Sequence, residues 1–349
     1  MSTGYHYKPR LTPDFGGQND KRIENRPMMT EIVWNGPETL DLPLALDFLG
    51  RGSLLIDCRK SPRSEGLAIV QALVARALTT VPPGQLRLTL FDPIGLGQTF
   101  AGFMHLADHE DANVLERIWT EPRHLEQKLS DITEHMERVI QTFLRNEYAS
   151  LDAYNRAAGQ IAEPYHLLVL NDYPEGLTDL GAKRLASILT SGPKCGVFTC
   201  LLHASTAEIP ESLVDLDWSD HHICLQGSDA GWRVTMPPLG DFAFIADTPP
   251  SDDQLTSIVR IVGEGAEGSN RVEVPFGSIA PSTDQFWTRS TSEEVRVAIG
   301  QSGATRYQEF KLGRGTTQHA LIAGRTGSGK STLLHVLITN LAMWHSPEE

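Results

Sequence analysis

Cysteine is scarce: Cys58, Cys195, Cys200 and Cys224 are the only four in 349 residues. Each lies in or beside an apolar run, and no two have metal-ligand spacing. That excludes a disulfide framework or a zinc module and predicts buried free thiols in a reducing compartment. Positive charge is short as well. Thirty Lys and Arg face 44 Asp and Glu, a formal net charge of -14, so the surface as a whole does not attract nucleic acid. A local basic patch or a loop in a ring channel remains compatible with that balance. Long hydrophobic runs are missing too. None approaches the ~20 residues of a spanning helix, and Met1 to Thr12 is polar and aromatic with no signal-peptide core behind it. The expected location is cytoplasmic. What is present, 40% hydrophobic and 21% charged residues, is a globular composition. It is long enough for one large core and a smaller unit.

Residues 1–39 read as an extended arm, with a short strand at Thr30 to Trp34. An α/β pattern follows. Continuous apolar runs at Ser53–Asp57, Arg87–Phe91, Tyr165–Leu170, Gly196–Leu202, His221–Leu225 and Phe242–Ala246 predict strands. Helical spacing predicts helices at Glu65–Leu78, within 122–158, at Asp179–Leu189 and at Asp252–Val262. Strands apolar throughout and alternating with helices indicate a mainly parallel sheet flanked by helices. The reading assigns 40–275 to one unit, 276–300 to a linker and 301–349 to the start of a second. In the second, Gln318–Ala323 (QHALIA) is expected to be a buried strand and Ser331–Trp344 a helix.

Between those two lies Gly324-Arg325-Thr326-Gly327-Ser328-Gly329-Lys330-Ser331, the pattern G-x-x-x-x-G-K-S, followed by Thr332. Glycines let the backbone curl until successive amides face one anion, and the helix start adds unpaired amides. This predicts a phosphate site for a nucleoside triphosphate, with ATP and Mg2+ as cofactors. Lys330 would reach the β- and γ-phosphates, and Ser331 would ligate the metal. Thr326 and Ser328 are expected as backbone donors. Arg325 is either a solvated loop residue or a contact to nucleotide or neighbour.

The first unit has a loop in the corresponding place, Cys58 to Gly66, but with no G-K-S and only one glycine. Pro62 and Glu65 suit a phosphate cradle poorly. Asn171-Asp172 ends the YHLLVL run where a magnesium-associated carboxylate and a glutamate would be wanted. Asp92 is either a functional carboxylate or a loop cap.

These segments resemble the FtsK/SpoIIIE group of ring-forming P-loop ATPases. The resemblance rests on Gln318 through Leu334, on Leu90-Phe91-Asp92-Pro93-Ile94-Gly95, and on Glu134-His135-Met136-Glu137-Arg138 with the later Tyr154-Asn155. Pro164 to Asp172 and Ser228-Asp229 fall at matching places. It implies a RecA-like fold, two tandem cassettes with the first degenerate, and a ring-shaped homo-oligomer, a hexamer in the complete protein. It also implies a DNA translocase acting on double-stranded DNA, or alternatively a type VII secretion-like ATPase acting on a secreted protein. A nucleotide-binding regulatory module is the third reading. Because the acidic strand of the second cassette is not among residues 284–349, this chain is expected to bind ATP without turning it over.

Overall fold

The computed structural model describes residues 3–7, 40–44, 48, 52–109, 113–145, 147–214, 216, 222–235, 243–267, 274–304, 306–313, 315 and 318–348. The strand expected at Thr30–Trp34 lies outside them. The arm contributes β1 (Thr3–Tyr7), and β2 is Leu40–Leu44. The α/β run then follows in order: β3 (Ser53–Asp57), α1 (Arg63–Thr80), β4 (Leu86–Phe91), β5 (Leu115–Trp119), α2 (Pro122–Val139) and α3 (Leu151–Ala158). It continues with β6 (Tyr165–Leu170), α4 (Asp179–Ser191), β7 (Val197–His203), β8 (His222–Ser228), β9 (Gly231–Val234), β10 (Ala243–Ile245) and α5 (Asp252–Ala266).

These strands make one ten-stranded sheet, ordered β2-β1-β10-β9-β8-β3-β7-β6-β4-β5. The run from β8 to β5 is parallel, and the strands beyond β8 are antiparallel. All seven residues of β7, VFTCLLH, are buried, as a strand covered on both faces requires. Each face has its own core. Val70, Leu73 and Val74 of α1 join Phe100, Phe103 and Val259 on one side. Leu125, Leu129 and Ile132 of α2 join Leu185 and Ile188 of α4 on the other. The chain thus has the expected α/β fold of a P-loop NTPase, a mainly parallel sheet flanked by helices. Cys58, Cys195 and Cys200 are buried free thiols, and Cys224 is half-buried. Among the described residues no helix is long and apolar enough to cross a membrane.

The remainder is a small separate layer. Strands β11 (Val295–Gln301) and β12 (Tyr307–Leu312) form an antiparallel hairpin. Helix α6 (Lys330–Trp344) packs on β11, where buried Asn340 donates to Ala298 O at 2.7 Å. The last carbonyls of α6 have no partners within the helix. Met343 O and Trp344 O accept the amides of Trp287 and Arg289, and Ala342 O accepts Trp287 Nε1. The Arg289 guanidinium stacks over Trp344 at 3.4 Å.

One expectation is corrected here. Gln318–Ala323 is not a buried strand: it runs as irregular chain, with Leu321 94% exposed. A strand exists through hydrogen bonds to a neighbour, and among the described residues none runs beside it. Apolar composition alone did not supply that partner.

Candidate functional site

In a doubly wound sheet, ligands meet the carboxyl ends of the strands where the chain order reverses. Here β3 lies between β7 and β8, and α1 carries the chain past β7 and β6 to β4. Asp57, Asp92, Asn171-Asp172 and His203 stand at or just past the carboxyl ends of β3, β4, β6 and β7.

That end of the sheet is closed by the protein's own side chains. Arg63, the first residue of α1, makes a two-pronged pair with Asp172, Nε to Oδ1 at 2.5 Å and Nη2 to Oδ2 at 2.6 Å. The same guanidinium is 3.8 Å from Asp92 Oδ1. Asp172 is 1% exposed and Asp92 0%, so one arginine balances two buried carboxylates. The Asp172 hydrogen bonds hold the Arg63 guanidinium above its ordinary range. Asp172 sits at φ +57°, in the left-handed region that aspartate tolerates better than most residues.

Asp92 is a loop organiser. Its Oδ2 accepts the amides of Gly97 at 3.1 Å and Thr99 at 3.2 Å, and its Oδ1 accepts Asn171 Nδ2 at 3.3 Å. A Cβ on Gly95 would meet Asp92 Oδ2 at 2.5 Å, which is why that turn carries glycine.

The loop itself offers little to a phosphate. Ser61 N–H donates to Cys58 O, and Arg59 N–H donates to Asp57 Oδ1. Asp57 also takes the Arg59 guanidinium at 2.9 and 2.8 Å. Burial acts to raise the Asp57 carboxyl, but the Arg59 bonds outweigh it and leave it below the usual range. Burial, aided by Asp57, pushes the Cys58 thiol up to about 11, so it is not a nucleophile. Glu65 accepts Trp232 Nε1 at 2.9 Å. Lys60 points to solvent. Sequence reasoning missed Arg63. Its one local signal is a cation at the first helical residue after a strand and loop.

The loop at 324–331 contrasts at every point. Gly327 and Gly329 take φ +80° and +85°, and nothing lies within 4 Å of where their side chains would be. A Cβ on Gly324 would meet Ser328 Oγ at 2.4 Å, so the curl itself needs glycine there. Ser328 N donates to Arg325 O at 3.1 Å, closing the turn that contains Thr326. Lys330 is the first residue of α6, and its ammonium donates across the curl to Gly324 O at 2.7 Å and Arg325 O at 2.6 Å. Arg325, Thr326, Ser331 and Thr332 are exposed. The arrangement fits a phosphate: an open curl, a helix start and a flexible cation inside the loop, with the Ser331 hydroxyl beside it for a divalent ion.

Residues 281–349 match the FtsK/SpoIIIE family. The ESX secretion system protein EccC of Thermomonospora curvata is 29% identical over 206 residues, covering 54% of this chain and 15% of that protein. The cytoplasmic domain of the T. curvata type VII secretion ATPase EccC superimposes with a TM-score of 0.50 at 22% identity, covering 89% of this chain and 42% of that one. EssC (ATPases 2 and 3) from Geobacillus thermodenitrificans gives 0.46 at 14%, covering 88% and 61%. The chain therefore spans a small part of the curated relative it matches, and its segment 281–349 is similar to the FtsK/SpoIIIE family.

Proposed function

We propose that this chain is a nucleotide-binding part of a type VII secretion-like protein-transport ATPase. In this reading the loop 324–331 binds ATP with Mg2+, and the unit ending near residue 275 is a scaffold cassette that binds no nucleotide. The observation that carries it is the contrast between two loops in one chain, one open and glycine-built, the other filled by Arg63. The similarity to EccC favours protein transport over the DNA translocase reading, and the net charge of -14 gives duplex DNA no general attraction.

The residues would work as follows. The amides at the start of α6 and the Lys330 ammonium would meet the phosphates once Lys330 leaves the Gly324 and Arg325 carbonyls. Ser331 would offer its hydroxyl to the ion. Bound Mg2+ supplies positive charge that offsets the phosphate oxygens. In the first unit, Arg63 already satisfies Asp172 and Asp92, so neither carboxylate is free to hold a metal. A ring-shaped homo-oligomer is part of this proposal, with the two cassettes of each chain as neighbours in it.

Calorimetry with ATP and Mg2+ tests the reading. One site per chain is expected, and Lys330→Ala should remove charge-assisted bonds worth ~1.5–3 kcal/mol each, weakening binding roughly 10-fold to 100-fold. Equal affinity in two folded samples would sink the assignment. Saturable binding of duplex DNA at physiological salt would return the DNA translocase reading to first place.

A further inference from the structure

Helix α2 and the starts of β4, β5 and β6 enclose a cavity of about 940 Å3, at the opposite end of the sheet from Asp92 and Asp172. Its charged lining is balanced: Arg87, Lys128 and Arg138 stand against Glu116, Asp131 and Glu134. Equal numbers of both signs favour neither a simple anion nor a simple cation. What such a wall can hold depends on which of its charges are already paired.

Four of the six are. The Lys128 ammonium holds Glu116 at 2.8 Å and Asp131 at 3.4 Å. Arg138 Nη2 donates to His135 Nδ1 at 2.8 Å and to Glu163 Oε1 at 3.4 Å. Lys128, Asp131, Glu134 and Arg138 recur at steps of three and four and so share one face of α2. Glu134 and Arg138 are four apart, the spacing of an ordinary helix ion pair. Arg138 is turned instead to His135 and Glu163. Glu134 is left exposed on the cavity wall, with no partner among the described residues.

Arg87 is the other unpaired charge. It is the second residue of β4, half-buried, and makes no hydrogen bond or ion pair among the described residues. Its neighbour in register on β6 is His166, whose ring stacks on His135 with centroids 4.3 Å apart. Burial pushes His135 down to about 4 and His166 well below its ordinary value, so the two rings add no charge to the cavity at pH 7. A partly buried cation without a counter-charge is costly. One reachable cation and one reachable carboxylate therefore remain, Arg87 on the sheet wall and Glu134 on the helix wall, and no ion pair joins them.

We propose that this cavity binds a small zwitterion, a molecule of amino-acid size whose carboxylate meets the Arg87 guanidinium and whose ammonium meets the Glu134 carboxylate. Such a ligand bridges the two walls and answers both unpaired charges while keeping the site neutral, and a guanidinium takes a carboxylate through two parallel bonds. The volume suits it, since pockets for small molecules run ~300–1,000 Å3. The site is separate from the loop at 324–331 and does not depend on the function proposed above.

The test is calorimetry on the full chain at about pH 7, with leucine and, separately, with 6-aminohexanoate. Saturable binding of at least one is expected. Leucine alone identifies a ligand with adjacent charges, 6-aminohexanoate alone one with separated charges, and both a site tolerant of spacing. Hexanoate and hexylamine each keep a single charge, and each should bind about tenfold or more weakly than the better zwitterion. Arg87→Gln and Glu134→Gln should each weaken that zwitterion about tenfold or more, with ATP affinity at Lys330 unchanged. Glu134 is exposed on a helix, so its variant decides even where Arg87→Gln fails to fold. Absence of saturable binding by both zwitterions would overturn the proposal. So would a singly charged analogue that binds as well, or an affinity left unaltered in either folded variant.

Discussion

The chain offers two loops for comparison, residues 58–62 between β3 and α1 and residues 324–329 before α6. In each, the first helical residue is a cation, Arg63 in one and Lys330 in the other. What differs is what the cation has to hold. Arg63 meets two buried carboxylates and forms a fixed fork with Asp172. Among the described residues Lys330 meets carbonyls of its own loop, and it keeps a flexible stem. A guanidinium fork locked on a carboxylate is a structural element, whereas a lysine on weak acceptors is free to exchange them for phosphate. Position alone does not make a nucleotide site; the acceptors that compete with the nucleotide decide.

The comparison can be broken most decisively by counting sites. ATP with Mg2+ should titrate to one site per chain, and Lys330→Ala should weaken that site roughly 10-fold to 100-fold with no second site of unchanged affinity left behind. A residual tight site in that variant would mean that the loop at 58–62 binds nucleotide after all.

Next in size is the loss of the internal cation. Arg63→Ala strands two carboxylates that are almost fully buried. Breaking a fully buried pair costs ~3–5 kcal/mol, and the 35% exposure of Arg63 reduces this through solvent screening to roughly 2–3 kcal/mol. Urea unfolding followed by tryptophan fluorescence would read it. No loss of stability would show that the fork is a surface contact without weight.

The third is a pH effect away from either loop. The folded-state value of His135 is about 4, below the ordinary ~6.5. The unfolded chain therefore takes up the proton first, and stability is lost as pH falls from about 6.5 through 4. The full loss is on the order of 3 kcal/mol for this residue. His135→Phe should flatten that part of the profile, and an unchanged slope would count against the burial of the ring. The smallest expected effect is Trp232→Phe. It removes the bond to Glu65 in the closed loop at a cost of ~0.5–1.5 kcal/mol and leaves ATP binding unchanged.

Much of the fold was legible because buried parallel strands are apolar at every residue. Tyr165–Leu170 and Ser53–Asp57 have the bounds read from sequence. Strand β5, LERIW, was missed because it is an edge strand with two charged residues in five, and its neighbour, not its composition, makes it a strand. The opposite error befell Gln318–Ala323, apolar enough for a strand but unpaired among the described residues. At the site, the glycine spacing of 324–331 is a local property and reads directly. The pair Arg63–Asp172 joins residues 109 apart in sequence, so only the sheet order reveals it. Asp92 could be read as either a functional acid or a cap, and its bonds to Gly97 and Thr99 choose the cap.

The clasp that Trp287 and Arg289 place on the far end of α6 has a mechanical consequence. A helix of 15 residues is a stiff rod of ~22 Å. Its trailing end is tied to residues 287–289 on the side leading back to the first unit, and its leading end carries Lys330 and the phosphate loop. A tug on that clasp moves the rod along its axis, and the loop must travel with it. A displacement of residues 287–289 would therefore reach the loop at 324–329 along the helix, with no need for a second ligand to carry the message.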